Sequence, residues 1–167
     1  TVYRYEPATS LEDVYAKTEL TGRLVGAFET AANVSAEMNG TVSAVQAAVA
    51  DEERPRVYYA LGGGYTAGAN TFITELLETA GGRNIAVEAG IDGYKPLSNE
   101  EIADRDPEFI VLNEGMSLPN NEAVNGTTAV EKDQIIRVDA NYLNQPGPRN
   151  VIPLKTFAQT FHPEAYA

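Results

Sequence analysis

Beyond Pro55 the chain alternates short runs rich in Val, Ile and Tyr with stretches of helical spacing, and this alternation most narrows what it can fold into. Residues 56–61, 109–112 and 134–138 read as strands, and 84–87 as a short extended piece. Residues 69–80 carry Ile73, Leu76, Leu77 and Ala80 on one helical face and stop at Gly81-Gly82. Residues 98–104 and 153–161 read as further helices, and 117–130 as mixed structure with Asn/Gly turns. Strands separated by helices imply an α/β lobe of three layers, with a mainly parallel sheet covered on both faces. Ligands of such sheets sit outside the carboxyl ends of the strands. Three segments leave those ends here: 62–70, 113–119 and 139–150.

Ahead of the sheet the pattern is helical. Residues 1–6 read as a short strand closed by Pro7. Ser10 then offers an N-cap with Asp13 three residues on, and Leu11, Val14, Tyr15, Thr18, Gly22 and Val25 follow at helical spacing. A second helix over 29–50 carries the stripe Val34, Met38, Val42, Val45, Val49, which crosses Asn39-Gly40 in phase. That phase outweighs the roughly 1 kcal/mol that an interior glycine costs a helix. The chain opens on Thr1 without a charged and apolar leader, which points to a processed or excised piece. No run of 18 apolar residues is present.

Composition removes several functions. The net charge is −12, from 24 acidic and 12 basic residues, of which only four are Lys. Such a field repels phosphate backbones, so no nucleic-acid partner is expected. An acidic, Lys-poor surface fits a high-salt habitat, where ions screen self-repulsion. The absence of Cys excludes disulfides, zinc ribbons and thiol nucleophiles. His162 is the only histidine and reads as a residue closing the last helix, so neither a catalytic triad nor a metal site is expected.

Three constellations remain. Gly62-x-Gly64-x-x-Ala67 follows a strand, with Glu88 about 20 residues further on, as in a dinucleotide fingerprint. Gly68-Ala69-Asn70 delay the helix, however, and two long helices precede the strand, so a ligand-facing glycine loop (Gly63, Gly64, Tyr65, Asn70) stands beside a nucleotide-dependent Rossmann-like enzyme as the alternative. Ser98 and Glu101 form a capping box that leaves Glu100 pointing outward, suited to docking on a partner's arginine. The 141–149 segment gathers Asn141, Tyr142, Gln145 and Arg149 above the sheet, suited to a polar or anionic ligand, with Tyr65 and Tyr94 lining the same cleft. Asn33, Asn39 and Asn125 are possible glycosylation acceptors, which lean toward the outside of the cell.

The order of these pieces resembles the solute-binding proteins with a rigid helical linker that serve iron–siderophore, haem and cobalamin ABC importers. The resemblance rests on Thr9-Ser10-Leu11-Glu12-Asp13-Val14, Arg54-Pro55-Arg56-Val57-Tyr58-Tyr59, the stretch 71–85, Leu97-Ser98-Asn99-Glu100-Glu101-Ile102, Asp106-Pro107-Glu108-Phe109-Ile110-Val111-Leu112 and Pro146-Gly147-Pro148-Arg149. It implies residues 1–27 as the end of an N-lobe, 28–53 as the linker helix and 54–167 as the C-lobe. It also implies a non-catalytic extracytoplasmic protein that hands a chelate to a permease through Glu100. Asn141, Tyr142 and Gln145 would contact ligand. No cofactor is implied beyond a ligand that is itself a metal chelate, and membrane attachment is expected only through an anchor outside this chain.

Overall fold

The computed structural model describes residues 2–4, 6–118 and 121–167. Helix α1 (Leu11–Val25) starts where the Ser10 hydroxyl accepts the Asp13 amide at 3.0 Å and ends at Gly26, whose φ of 76° is left-handed. The Asp13 carboxylate turns back to Thr9, accepting its amide at 3.0 Å and its hydroxyl at 3.2 Å. Helix α2 (Phe28–Ala48) folds straight back on α1, with the Ala27 amide donating to Gly22 O at 2.7 Å. That approach depends on Gly22, since a Cβ there would lie 2.3 Å from Ala31 Cβ. The buried stripe of α2 is Ala31, Ser35, Met38, Val42 and Val45, continued by Val49; Val34 lies beside it, half-buried. The stripe passes Asn39-Gly40 without a break, as expected.

The expected strand over 1–6 does not form among its described residues, and Thr1 and Tyr5 lie outside them. Val2 and Tyr3 are exposed and lie outside every strand, and an extended segment without a ladder is not a strand.

Four strands, β1 (Arg56–Ala60), β3 (Arg83–Asn84), β5 (Phe109–Asn113) and β6 (Ile135–Val138), form a parallel sheet in the order β3-β1-β5-β6. Period two sorts their side chains. Val57, Tyr59, Val111 and Ile136 face α1, α2, α3 (Phe72–Thr79) and α9 (Val151–Phe161). Tyr58, Ala60, Ile110 and Leu112 face α4 (Ile85–Glu88), α5 (Asn99–Arg105), α6 (Glu122–Asn125) and α7 (Thr128–Glu131). This is the three-layer α/β arrangement that the strand–helix alternation implies.

Several boundaries differ from expectation. Residues 65–67, read as loop, form β2 (Tyr65–Ala67), paired antiparallel with β4 (Tyr94–Pro96). Helix α3 begins at Phe72 instead of residue 69, because the Thr71 hydroxyl caps it by accepting the Thr74 amide at 3.2 Å. The extended piece at 84–87 is mostly helix α4, capped by Asn84. The loop at 141–150 opens with one helical turn, α8 (Ala140–Leu143). His162 is buried at the end of α9, its Nε2 3.3 Å from Gly81 O, so it does close the last helix. No described helix is long and apolar enough to cross a membrane.

A polar contact joins α3 to the start of α1: Glu75 Oε2 accepts the Leu11 amide at 2.7 Å. Burial raises the pKa of this carboxyl; the Leu11 amide opposes the rise, and the nearby Asp13, Glu12 and Glu78 add to it. A carboxyl with a raised folded pKa favours the fold while protonated and loses that contribution as pH climbs through its folded pKa. Glu75→Gln keeps an acceptor for Leu11 and removes the charge. The variant is expected to melt above the wild type at neutral pH, with the gap closing below the ordinary carboxyl value of 4.5 in a series of melts against pH. Gly22→Val is expected to cost about 1–3 kcal/mol by overpacking the α1–α2 turn, read by denaturant unfolding.

Candidate ligand-binding face

The segments leaving β1, β5 and β6 meet above the carboxyl ends of those strands. After β1 the chain turns tightly, with the Tyr65 amide bonded to Gly62 O at 3.1 Å and the Leu61 amide to Tyr65 O at 3.0 Å. Gly62, Gly63 and Gly64 all lie in the left-handed region, at φ 83°, 59° and 79°. Three such residues in a row are open at low cost only to glycine. The turn feeds β2, whose register with β4 sets Tyr65 opposite Pro96 and Ala67 opposite Tyr94. Tyr65 and Tyr94 therefore share one face of the ribbon. They are 47% and 51% exposed, so both rings keep surface for a ligand.

The segment after β5 is held at its root. Met116 O accepts Arg137 Nη1 at 2.6 Å, and the Met116 side chain reaches the glycine turn, where a Cβ on Gly62 would lie 2.5 Å from its Cε. Beyond β6, Asp139 caps the following turn by accepting the Asn141 amide and side chain at 2.8 and 2.9 Å. The buried Asn150 then braces the loop. Its Nδ2 donates to Tyr142 O at 2.6 Å and Gln145 O at 3.3 Å, and its Oδ1 accepts the Gly147 amide. The Arg149 guanidinium lies 5.2 Å from the centre of the Tyr142 ring, a cation–π pair at the surface.

Below these segments Tyr59 is fully buried and donates its hydroxyl to Asn144 Oδ1 at 2.9 Å. Burial pushes its phenol up to about 12, so it stays neutral at any physiological pH; burial raises Tyr94 as well. The face thus offers phenols and amides around two exposed aromatic rings. That arrangement suits holding a large molecule with both polar edges and flat or apolar surface.

The expected residues fall into groups. Gly63, Gly64, Tyr65 and Tyr94 come together on the turn and ribbon, and Asn141, Tyr142, Gln145 and Arg149 on the neighbouring segment. Two of them have side chains already engaged inside the protein: Asn141 with Asp139, and Asn70 with Asp92 at 2.9 Å. Glu100 stands apart at the start of α5. There the capping box of Ser98 and Glu101 forms as expected, and the Glu100 carboxylate is exposed with no hydrogen bond or ion pair among the described residues. Asn33, Asn39 and Asn125 are all exposed. Pro119, in the expected 113–119 segment, lies outside the described residues.

The dinucleotide alternative loses its geometry. Its glycines should lead directly into a helix N-terminus, but Ala67 lies in β2 and the helix starts only at Phe72. Glu88, the expected ribose ligand, lies in α4 and pairs with Arg83 at 2.7 Å. Sequence reasoning passed over Tyr59, Asn113, Met116, Arg137 and Asn144. A usable signal was Asn113, a polar residue ending the apolar run Phe109-Ile110-Val111-Leu112; it is 7% exposed, and its Oδ1 has no hydrogen-bond partner among the described residues.

Comparison with known proteins agrees with this architecture. Residues 1–142 match the family model described as periplasmic binding protein. The chain is 42% identical to a cobalamin-binding protein of Halobacterium salinarum over 97% of its own length and 47% of that protein's. It is 24% identical to an uncharacterized ABC transporter substrate-binding lipoprotein of Bacillus subtilis, covering 55% of it, so the chain spans about half the length of the curated relatives it matches. Among solved structures it superposes on the periplasmic haem-binding protein of a Roseiflexus species with a TM-score of 0.83 at 24% identity, covering 94% of this chain and 65% of that one. It also superposes on a protein of the ABC-type Fe3+-hydroxamate transport system of Saccharomonospora viridis with a TM-score of 0.77 at 28% identity, covering 92% and 57%. The match of the family model over most of its residues means that the chain belongs to the periplasmic binding protein family.

Proposed function

We propose that this chain supplies the C-terminal half of the ligand cleft of an extracytoplasmic solute-binding protein, one that delivers a cobalamin-like corrinoid or a ferric siderophore to an ABC-importer permease. The observation that carries the reading is the convergence of the turn at 62–64, the β2–β4 ribbon and the 139–150 segment on one face. The 42% identity to a cobalamin-binding protein favours a corrinoid over the other chelates. In this reading residues 1–27 close an N-lobe, 28–53 are the rigid linker and 54–167 are the C-lobe. Ligand is held by hydrogen bonds and aromatic contact without a chemical step. The net charge of −12 fits a protein exposed to high salt, as in the Halobacterium relative.

The Tyr142 ring, backed by Arg149, presents a flat contact to the ligand. Titrating the full-length protein with cyanocobalamin is expected to give saturable binding. Tyr142→Ala is expected to weaken it about tenfold, the size of one aromatic contact. Wild-type affinity in that variant would exclude Tyr142 from the cleft.

Glu100 is the proposed docking carboxylate, an exposed acid held near the start of α5 and left unpaired by the capping box. Reversing its charge in Glu100→Arg should leave corrinoid affinity unchanged and cut uptake by cells about tenfold or more, the effect of one lost charge-assisted contact. Undiminished uptake would remove Glu100 from the interface.

A further inference from the structure

We infer that Tyr59 and Asn144 form a strut that positions the 139–150 segment for its ligand, a role that rests on the cleft reading above. Tyr59 belongs to β1, and its ring is fully buried in the layer beneath α2, α3 and α9. Only its hydroxyl reaches the carboxyl pole, where it donates to Asn144 Oδ1 at 2.9 Å. Asn144 is exposed and directly follows α8, so water would solvate its side chain if the bond were absent. The bond instead fixes one of the two residues that lie between Tyr142 and Gln145. Asn150 grips the backbone carbonyls of those same two residues from the other side. The stretch carrying Tyr142, Gln145 and Arg149 is therefore clamped twice, once to itself and once to the sheet. A binding group on a loop gains affinity when such supports hold it before the ligand arrives. The neighbouring Tyr58 faces the opposite helical layer and has no part in this arrangement.

The full-length protein tests the strut in two ways. Without ligand, Tyr59→Phe is expected to speed amide hydrogen exchange over 141–149 several-fold, and unchanged exchange there would overturn the strut. With cyanocobalamin, Tyr59→Phe and Asn144→Ala should each weaken binding about fivefold, the size of one hydrogen bond, and the double variant should be no worse than either. Tyr58→Phe should bind like the wild type. Replacing both partners with apolar groups, Tyr59→Phe with Asn144→Leu, should return the melting midpoint toward the wild type while affinity stays low. Affinity that recovers along with the midpoint, wild-type affinity in the exposed-site variant Asn144→Ala, or an equal loss in Tyr58→Phe would each overturn the positioning role. A wild-type protein silent toward both cyanocobalamin and ferric siderophores, with exchange at 141–149 still faster in Tyr59→Phe, would overturn the cleft reading and with it the ligand role, while the strut itself stood.

Discussion

The pairing of β1 with β5 is the contact on which the rest of the molecule depends. Val57, Tyr58, Tyr59 and Ala60 lie in parallel register with Phe109, Ile110, Val111 and Leu112, and all eight are buried. A parallel pair buried on both faces requires helices above and below and crossovers between strands, which sends all four strands of the main sheet in the same direction. Every segment that leaves a strand at its carboxyl end then emerges on one side. The binding face follows from that shared direction, not from any single residue.

The two poles of the sheet are built for different tasks. At the amino pole Arg56 is fully engaged: its Nε donates to Arg105 O at 3.0 Å and Asp106 O at 2.8 Å, and its guanidinium pairs with Asp106 and Glu108. Asp106 in turn accepts the Thr128 amide and hydroxyl, and these bonds hold its carboxyl below the usual aspartate range. Polar groups there close the structure. At the carboxyl pole the rings of Tyr65 and Tyr94 stand half-exposed, and the Oδ1 of Asn113 lacks a partner among the described residues. Unsatisfied or exposed groups of that kind are where a protein has room to meet something else.

What the sequence made legible tracks how local each signal is. The Ser10 and Ser98 caps lie within one turn of the residues they serve, and both form as expected. The α2 stripe repeats over five turns and survives a glycine. The β2–β4 ribbon escaped notice because its strands are three residues each, lie nearly thirty residues apart and include Pro96, so neither shows alternation alone. Asn84 escaped for a similar reason. Its side chain caps Ala86 and reaches Ala67 O and Thr74 Oγ1, both at 2.7 Å, partners brought to it only by the fold. Turn chemistry and the strand ends mark the candidate face as a set of loops, but its internal braces, Tyr59 to Asn144 and Asn150 to Tyr142, join residues whose meeting no local pattern announces.

The most direct measurement is a crystal structure of the full-length protein with bound cyanocobalamin. The account predicts the corrinoid in van der Waals contact, within about 4 Å, of Tyr65, Tyr94 and Tyr142 above the carboxyl ends of β1, β5 and β6. A corrinoid seated at the amino pole beside Arg54, Arg56 and Arg83, or touching none of the three tyrosines, would contradict it.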